Sequence, residues 1–134
     1  MLFVSVVIIG IGVDRVVVSR IRSSLDRFGD RFIRRVYTEH EFEQASSKND
    51  KSRRLALLFA SKESVSKALG TGFRQGVAPK AIETIHRTSG KPDIILHGAA
   101  KEVASRLGVD VMHVSLSDDD GIAMAFAVAE SRPG

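Results

Sequence analysis

The chain has no cysteine and no tryptophan, it contains only three prolines, and its aromatic residues are one tyrosine and seven phenylalanines. The absence of cysteine excludes disulfide bonds and thiolate metal sites, and nothing in the composition argues for export. The apolar run MLFVSVVIIGIGV at residues 1–13 is too short to span a bilayer, and it lacks the basic flank and cleavage site of a signal peptide. We therefore expect one cytoplasmic domain over residues 1–134, with no membrane segment and with residues 1–6 extended or disordered.

Positive charge is in excess and is unevenly distributed. The net charge is +4 at pH 7, and the segment 15–35 holds seven arginines and two aspartates. Such a segment favours an acidic partner, which can be nucleic acid, anionic lipid, a phosphorylated metabolite or an acidic protein. The aromatic share of 6% and the lack of a helix-turn-helix, zinc or RNP signature count against nucleic acid.

Hydrophobic periodicity predicts the order β-α-α-α-β-β-α-β-β, which indicates an α+β domain whose mainly antiparallel sheet packs with helices. Ser19 is expected to cap the first helix, and Thr38 with Glu41 predicts a capping box at the second. The predicted elements are a strand at 4–14, helices from 19, from 38 and over 52–69, strands at 81–87 and 93–98, a helix at 99–107, and strands at 112–117 and 122–129.

The segment GIGVD ends the first predicted strand. Because alternate residues of a strand share a face, Gly10, Gly12 and Asp14 lie on one side of it. We expect Asp14 to stand in a groove that the glycines leave open to a metal ion or a phosphate-bearing ligand. The alternative is a glycine-containing strand end with a solvated aspartate.

Charged residues interrupt the apolar pattern of the predicted helix 52–69. Lys62 falls on the apolar stripe, and Glu63 and Lys67 are four residues apart beside Ala56 and Ala60. We expect the alanines to leave room for a metal-phosphate ligand next to the carboxylate and the ammonium. The alternative is a surface ion pair worth roughly 0.3–0.5 kcal/mol, with Lys62 extending from the edge of the core.

The last two predicted strands alternate in side-chain size. His113, Ser115 and Ser117 share one face of their strand, and alanines occupy every second position of the next strand, from 123 to 129. We expect one hairpin face to be large and apolar and the other to be small and polar. His113 is a candidate general base or phosphate contact, and the alternative is an ordinary surface histidine.

Four motifs taken together resemble holo-acyl-carrier-protein synthase, the small bacterial type of 4′-phosphopantetheinyl transferase. They are GIGVD at 10–14, FASKESVSKALGTG at 59–72, SGKP at 89–92 and HVSLSDD at 113–119. The resemblance implies a Mg²⁺-dependent reaction in fatty acid biosynthesis, in which a serine of an acyl carrier protein attacks the β-phosphate of coenzyme A and 3′,5′-ADP leaves. It also implies a homotrimer with each active site between two subunits.

The resemblance assigns roles to individual residues. It implies that Asp14 and Glu63 hold the metal and that Arg20 and Arg27 meet the carrier protein. The acceptor of the serine proton stays open between Glu63, His113 and a metal-bound water. The implied catalytic residues are Glu63, Lys67 and His113, and the implied contacts with coenzyme A are Lys62, Lys67, Gly70, Gly72, His113 and Ser115.

One position departs from the family pattern. Many members have an arginine where this chain has Leu58, just before the FASKE segment. We expect Leu58 to fill the core or to pack under the adenine, and Arg53 or Arg54 to reach the phosphate instead. Two alternative functions remain, which are a small basic nucleic-acid-binding domain and a protein that binds coenzyme A without transferring from it.

Overall fold

A long helix lies across one face of a three-stranded antiparallel sheet, and four shorter helices and a two-stranded antiparallel sheet complete the fold. The computed structural model describes residues 5–132. The larger sheet has the strand order β1-β5-β4, and β2 pairs with β3. The predicted α+β class is confirmed. The helices and strands are β1 (Val7–Val17), α1 (Val18–Phe28), α2 (Asp30–Val36), α3 (Glu39–Ser46), α4 (Lys51–Ala68), β2 (Ile82–His86), β3 (Pro92–Leu96), α5 (Gly98–Leu107), β4 (Val111–Asp119) and β5 (Ile122–Ser131).

The N-terminal region differs from its prediction in two respects. Strand β1 runs three residues further than expected, and α1 follows it directly, with Val17 as an N-cap that provides no side-chain bond. Ser19 is therefore inside the helix and is not its cap. The expected single helix is also divided, because Gly29 has a φ of 52° and ends α1 through its N–H bond to Leu25 O. Of the N-terminal residues 1–6, the first four lie outside the described residues.

Local signals placed several other boundaries correctly. The capping box at α3 is formed, since Thr38 Oγ1 accepts the Glu41 N–H at 3.2 Å and Glu41 Oε1 accepts the Thr38 N–H at 2.9 Å. The hairpin between β4 and β5 turns on Asp120 and Gly121, whose φ angles are 50° and 76°. An Asp-Gly pair with positive φ at both residues is the favoured two-residue hairpin turn.

Small residues allow α4 to pack directly on the backbone of the large sheet. A Cβ atom added at Gly10 or Gly12 would lie 1.9 Å or 1.8 Å from a carbonyl oxygen of α4. Ala56 and Ala60 of the helix are fully buried in the same core. The prediction that these glycines and alanines leave room for a ligand is therefore wrong, because protein atoms fill the space that they create. The sheet contributes a row of buried alanines to this contact, namely Ala123, Ala125, Ala127 and Ala129.

The two faces of the hairpin are also composed differently from the prediction. The register set by the two-residue turn places the alanines of β5 beside the larger residues of β4, opposite Val114 and Leu116 for instance. Large and small side chains thus alternate across the face that packs on α4. The opposite face combines polar residues of β4 with large apolar residues of β5, in the pairs His113–Val128, Ser115–Phe126 and Ser117–Met124.

This second face of the large sheet, which we call the outer face, is apolar and open to solvent. Ile11 is 59% exposed, Val13 is 52% exposed, and Met124 and Phe126 are each 47% exposed. Exposed apolar patches of this kind are typical of interaction surfaces. Among the helices within residues 5–132, none has both the length and the apolar character that crossing a membrane requires.

Candidate active site

Strand β1 and helix α4 bring three of the predicted site residues together. Two residues of a strand and four residues of a helix each rise about 6–7 Å. Every second residue of β1 therefore faces a new turn of α4, first Gly10, then Gly12 and then Asp14. There Lys67 Nζ donates to Asp14 Oδ1 at 2.8 Å and to Val13 O at 3.2 Å. The Asp14 side chain is only 14% exposed, whereas that of Lys67 is 51% exposed.

Asp14 and Glu63 form a carboxyl pair with unequal proton affinities. Burial acts to raise the pKa of Asp14, but hydrogen bonding with Glu63 and Lys67 outweighs it and holds that pKa below its usual value. Burial, followed by the effect of Asp14, raises the pKa of Glu63 to about 8. Two carboxyl groups that share a site cannot both ionise cheaply, so near neutral pH the pair holds one proton, on Glu63.

One oxygen of this pair is left without a donor. Asp14 Oδ2 is buried, and no N–H or hydroxyl group of the described residues donates to it, so only the proton of the neighbouring Glu63 carboxyl or a cation can satisfy it. Such an atom is costly unless a proton or a cation approaches it. The two carboxyl groups therefore fit a hard divalent cation such as Mg²⁺, which prefers oxygen ligands. Residues 5–132 contain no cluster of three or more potential ligands, so water and substrate would complete the coordination.

A cavity of about 430 Å³ opens next to the carboxyl pair. Arg20, on the exposed side of α1, lines it together with Asp14 and Glu63. Phe32 and Phe59 also line it, and the sequence analysis did not assign them to the site. Their helical spacing marked them only as apolar, so no signal separated a cavity-lining phenylalanine from a core one.

Lys62 lies in the interior, away from this cavity. Its ammonium donates to Glu41 Oε1 at 2.6 Å, to Ile82 O at 2.7 Å and to Pro79 O at 2.9 Å, and its side chain is inaccessible to solvent. These bonds use all three ammonium protons. We therefore withdraw Lys62 from the predicted contacts with coenzyme A. The sequence analysis recognised Glu41 only as part of a capping box and missed its ion pair.

The glycines after α4 form a helix end whose surface is open. Gly70 and Gly72 have φ angles of 79° and 56°, and a Cβ atom added at either position would meet no atom within 4 Å. The N–H groups of Thr71 and Gly72 both bond to Ser66 O, so they complete the helix. This geometry suits close approach of a ligand to the backbone at Gly70 and Gly72, whereas the N–H groups of Thr71 and Gly72 are already used.

His113 and Ser115 lie on the outer face of the large sheet, opposite the face that carries Asp14. Within one chain they are therefore separated from the carboxyl pair by the sheet itself. His113 Nε2 bonds to Glu130 Oε2 at 2.9 Å, and Arg132 Nε donates to the same oxygen at 3.1 Å. The sequence analysis missed Glu130, because 17 residues separate it from its histidine partner.

The remaining predicted residues are placed as follows. Leu58 is fully buried, so it fills the core and does not pack under a ligand. Arg53 is held by Asp118 through Nε and Nη2. Arg54 is half-buried, bonds to His86 at 3.3 Å and lines a second cavity of about 480 Å³.

Arg27 is exposed at the end of α1, where its guanidinium lies 5.3 Å from the centre of the Phe28 ring.

Known proteins of similar sequence share one activity in their names. The holo-acyl-carrier-protein synthase of Edwardsiella ictaluri is 45% identical over 123 residues, which cover 92% of this chain and 98% of that protein. The Vibrio cholerae synthase is 43% identical over 125 residues, with 93% and 99% covered.

Solved structures and a family model agree with these similarities. The synthase from Neisseria meningitidis superimposes with a TM-score of 0.85 at 33% identity, covering 92% of this chain and 98% of that one. The Helicobacter pylori synthase, solved in complex with coenzyme A, gives a TM-score of 0.79 at 31% identity, with 89% and 98% covered. Residues 10–127 match the family model of the 4′-phosphopantetheinyl transferase superfamily. This chain therefore belongs to the 4′-phosphopantetheinyl transferase superfamily.

Proposed function

We propose that this chain transfers 4′-phosphopantetheine from coenzyme A to a serine of an apo-acyl carrier protein and releases 3′,5′-ADP, a step that supports fatty acid biosynthesis. The observation that carries the proposal is that Asp14 and Glu63 line one cavity with Arg20, while Lys67 is bonded to Asp14. Family membership and similarity along nearly the whole chain support it. We further propose that residues 1–134 act as one such domain and that the protein works in the cytoplasm.

Asp14 and Glu63 are proposed to hold Mg²⁺ together with phosphate oxygens of the substrate. Bound Mg²⁺ supplies positive charge to the pyrophosphate, which stabilises the charge that develops during transfer. The buried Asp14 oxygen that no N–H or hydroxyl group reaches and the raised pKa of Glu63 support this assignment, because a bound cation would stabilise both carboxylates. Lys67 adds a second cation beside the same cavity, within reach of a phosphate group.

The reaction forms a bond between the serine Oγ and the β-phosphorus of coenzyme A. The bond from that phosphorus to the oxygen it shares with the α-phosphorus breaks, and 3′,5′-ADP leaves with that oxygen. The serine proton needs an acceptor, and a pKa near the working pH suits this role. We propose Glu63 in its ionised form as this acceptor, because it lines the cavity beside Asp14.

We propose that copies of this chain cover the outer face in a homotrimer. The exposure of Ile11, Val13 and Phe126 supports it, because a large apolar patch is costly to leave in water. In such an assembly, His113 and Ser115 of one copy can contribute to the nucleotide site of the next. Light scattering at micromolar concentration tests this, and Phe126→Glu is expected to lower the mass. A fully active monomer would contradict it.

Arg54 is proposed to take the place of the family arginine that Leu58 replaces. Its guanidinium is half-buried and has no carboxylate partner within residues 5–132, which suits a phosphate ligand. Arg54→Ala is expected to raise the KM for coenzyme A roughly tenfold. Arg53→Ala is the matched control and should change it less, because Asp118 already holds Arg53. Equal effects of the two variants would contradict the assignment.

Arg20 and Arg27 are proposed to receive the carrier protein. Carrier proteins of this kind are acidic by the family resemblance, and complementary charge speeds their association. Arg20→Glu should raise the KM for the carrier protein and leave the KM for coenzyme A little changed. An unchanged carrier KM would place the docking surface elsewhere.

Mass spectrometry tests the function directly. The chain is incubated with coenzyme A, Mg²⁺ and an apo-carrier protein, and the carrier should gain the mass of one phosphopantetheine group. A carrier whose serine is replaced by alanine is the control and should gain nothing. Coenzyme A binding without a mass gain would support the non-transferase alternative. Binding of duplex or single-stranded nucleic acid with no coenzyme A binding would support the other alternative.

A further inference from the structure

Lys67 is the cationic partner that the fold itself provides for Asp14. Its side chain reaches from α4 to β1, where Nζ contacts both Asp14 Oδ1 and Val13 O. A lysine ammonium carries a positive charge at physiological pH. Two of the three protons of the Lys67 ammonium are used in these contacts.

The same carboxylate is one of the two proposed ligands of the divalent cation. Two cations on one carboxylate repel each other, and the repulsion is stronger where the carboxylate is mostly buried. Lys67 and a divalent cation therefore compete for Asp14. Because half of the Lys67 side chain is exposed and its stem is flexible, the ammonium can turn towards another anion beside the cavity.

We propose that Lys67 couples the binding of the divalent cation to the binding of coenzyme A. The ammonium stays on Asp14 until the pyrophosphate of coenzyme A attracts it, and its departure frees Asp14 for the cation. Each ligand then strengthens the other, as reciprocal linkage requires. This inference rests on the proposed function, because it takes the metal ligands and the pyrophosphate substrate from it.

The test measures Mn²⁺ binding by electron paramagnetic resonance, with and without coenzyme A and without carrier protein, so that no turnover occurs. Binding of Mn²⁺ to coenzyme A alone is subtracted. The variants are Lys67→Met, which removes the charge, and Lys67→Arg, which keeps it. Lys101→Met on the exposed side of α5 is the matched control. Circular dichroism verifies that each variant is folded.

Lys67→Met is expected to bind Mn²⁺ roughly tenfold more tightly than the wild type when coenzyme A is absent, within the usual range of coupling between sites. Coenzyme A should tighten Mn²⁺ binding at least tenfold in the wild type and in Lys67→Arg, and by a several-fold smaller factor in Lys67→Met, where only direct coordination of the metal by the phosphates couples the two ligands. Lys101→Met should match the wild type.

Equal Mn²⁺ affinity and equal coupling in the wild type and Lys67→Met would overturn the proposal. A wild type that binds no Mn²⁺ under either condition would overturn it together with the metal assignment. The mass assay with the carrier protein is independent of both results. Transfer that persists in that assay would keep the proposed function while the coupling is rejected.

Discussion

Lys62 and Glu63 are neighbours in α4, yet their side chains enter two charged clusters of different kinds. Lys62 points into the protein, where Glu41 and two carbonyl oxygens satisfy its ammonium completely. Glu41 is satisfied as well, since it also accepts the N–H groups of Thr38 and Thr84. These two side chains connect two helices, α3 and α4, with strand β2.

Glu63 points to the cavity, where the charges are not matched. It lies beside a second acid, Asp14, one of whose buried oxygens has no donor among the described residues. Burial alone therefore does not identify a functional charge. A buried charge with every bond satisfied stabilises the fold, whereas a clustered charge with an unsatisfied atom indicates a ligand.

Breaking the Lys62 cluster should have the largest effect on stability. Lys62→Met leaves the Glu41 carboxylate buried without its cation, and losing one partner of a buried pair costs about 3–5 kcal/mol. Urea unfolding measures this cost. The double variant Lys62→Met with Glu41→Gln should be less destabilised than Lys62→Met alone, because no unpaired charge remains. A change below 1 kcal/mol in the single variant would refute the structural role of the pair.

Changing the Glu63 cluster should instead affect activity and spare the fold. Glu63→Gln is expected to lower the transfer rate roughly 100-fold or more, since it removes a carboxylate that acts on the reacting phosphates. Its melting temperature should stay close to that of the wild type, because the neutral amide has nearly the same shape as the protonated carboxyl group. Glu102→Gln, on the exposed side of α5, is the control. Near wild-type rates at low Mg²⁺ would show that the metal assignment is incorrect.

The separation of the two clusters depends on close contact between α4 and β1. Gly12→Ala would place a methyl group 1.8 Å from a backbone oxygen of α4, so the helix must shift. We expect a loss of about 2–3 kcal/mol in unfolding free energy, together with lower activity. Gly72→Ala is the matched comparison, since its surroundings are open and only its positive φ is strained, at a cost of about 1 kcal/mol. Equal losses of unfolding free energy in Gly12→Ala and Gly72→Ala would contradict the close packing of α4 on β1.

The last expected effect is a pH dependence of stability to which Glu63 contributes. Burial and Asp14 raise its folded pKa to about 8, well above the unfolded value of 4.5. The folded state therefore holds the extra proton between these values, and stability falls as the pH rises through them. The wild type should lose stability relative to Glu63→Gln between pH 5 and pH 8, in about that window. If the unfolding free energies of the two proteins changed with pH in parallel, the raised pKa of Glu63 would be contradicted.

Local chemistry accounts for what the sequence predicted well. The capping box of Thr38 and Glu41 and the turn at Asp120 and Gly121 depend on residues at most three positions apart, so their signals are complete in the sequence. The pairing of Glu63 with Lys67 on one helix face is of the same kind. The four motifs indicate the family, and through it the function, because their occurrence in this order is specific for the family, whereas each motif alone is a weak signal.

The features that the sequence did not reveal depend on contacts between distant residues. Lys62 and Glu41 are 21 positions apart, and Lys67 and Asp14 are 53 apart. The hydrophobic periodicity does not indicate which side of a helix packs on which strand. The small residues were therefore predicted to leave an open groove, whereas in the structure they permit close packing of α4 on the sheet. Most of the helices and turns, and the identity of the acids and bases, follow from the amino-acid sequence alone. Only the tertiary structure decided which charges are satisfied, because that depends on the backbone groups and side chains that folding brings beside them.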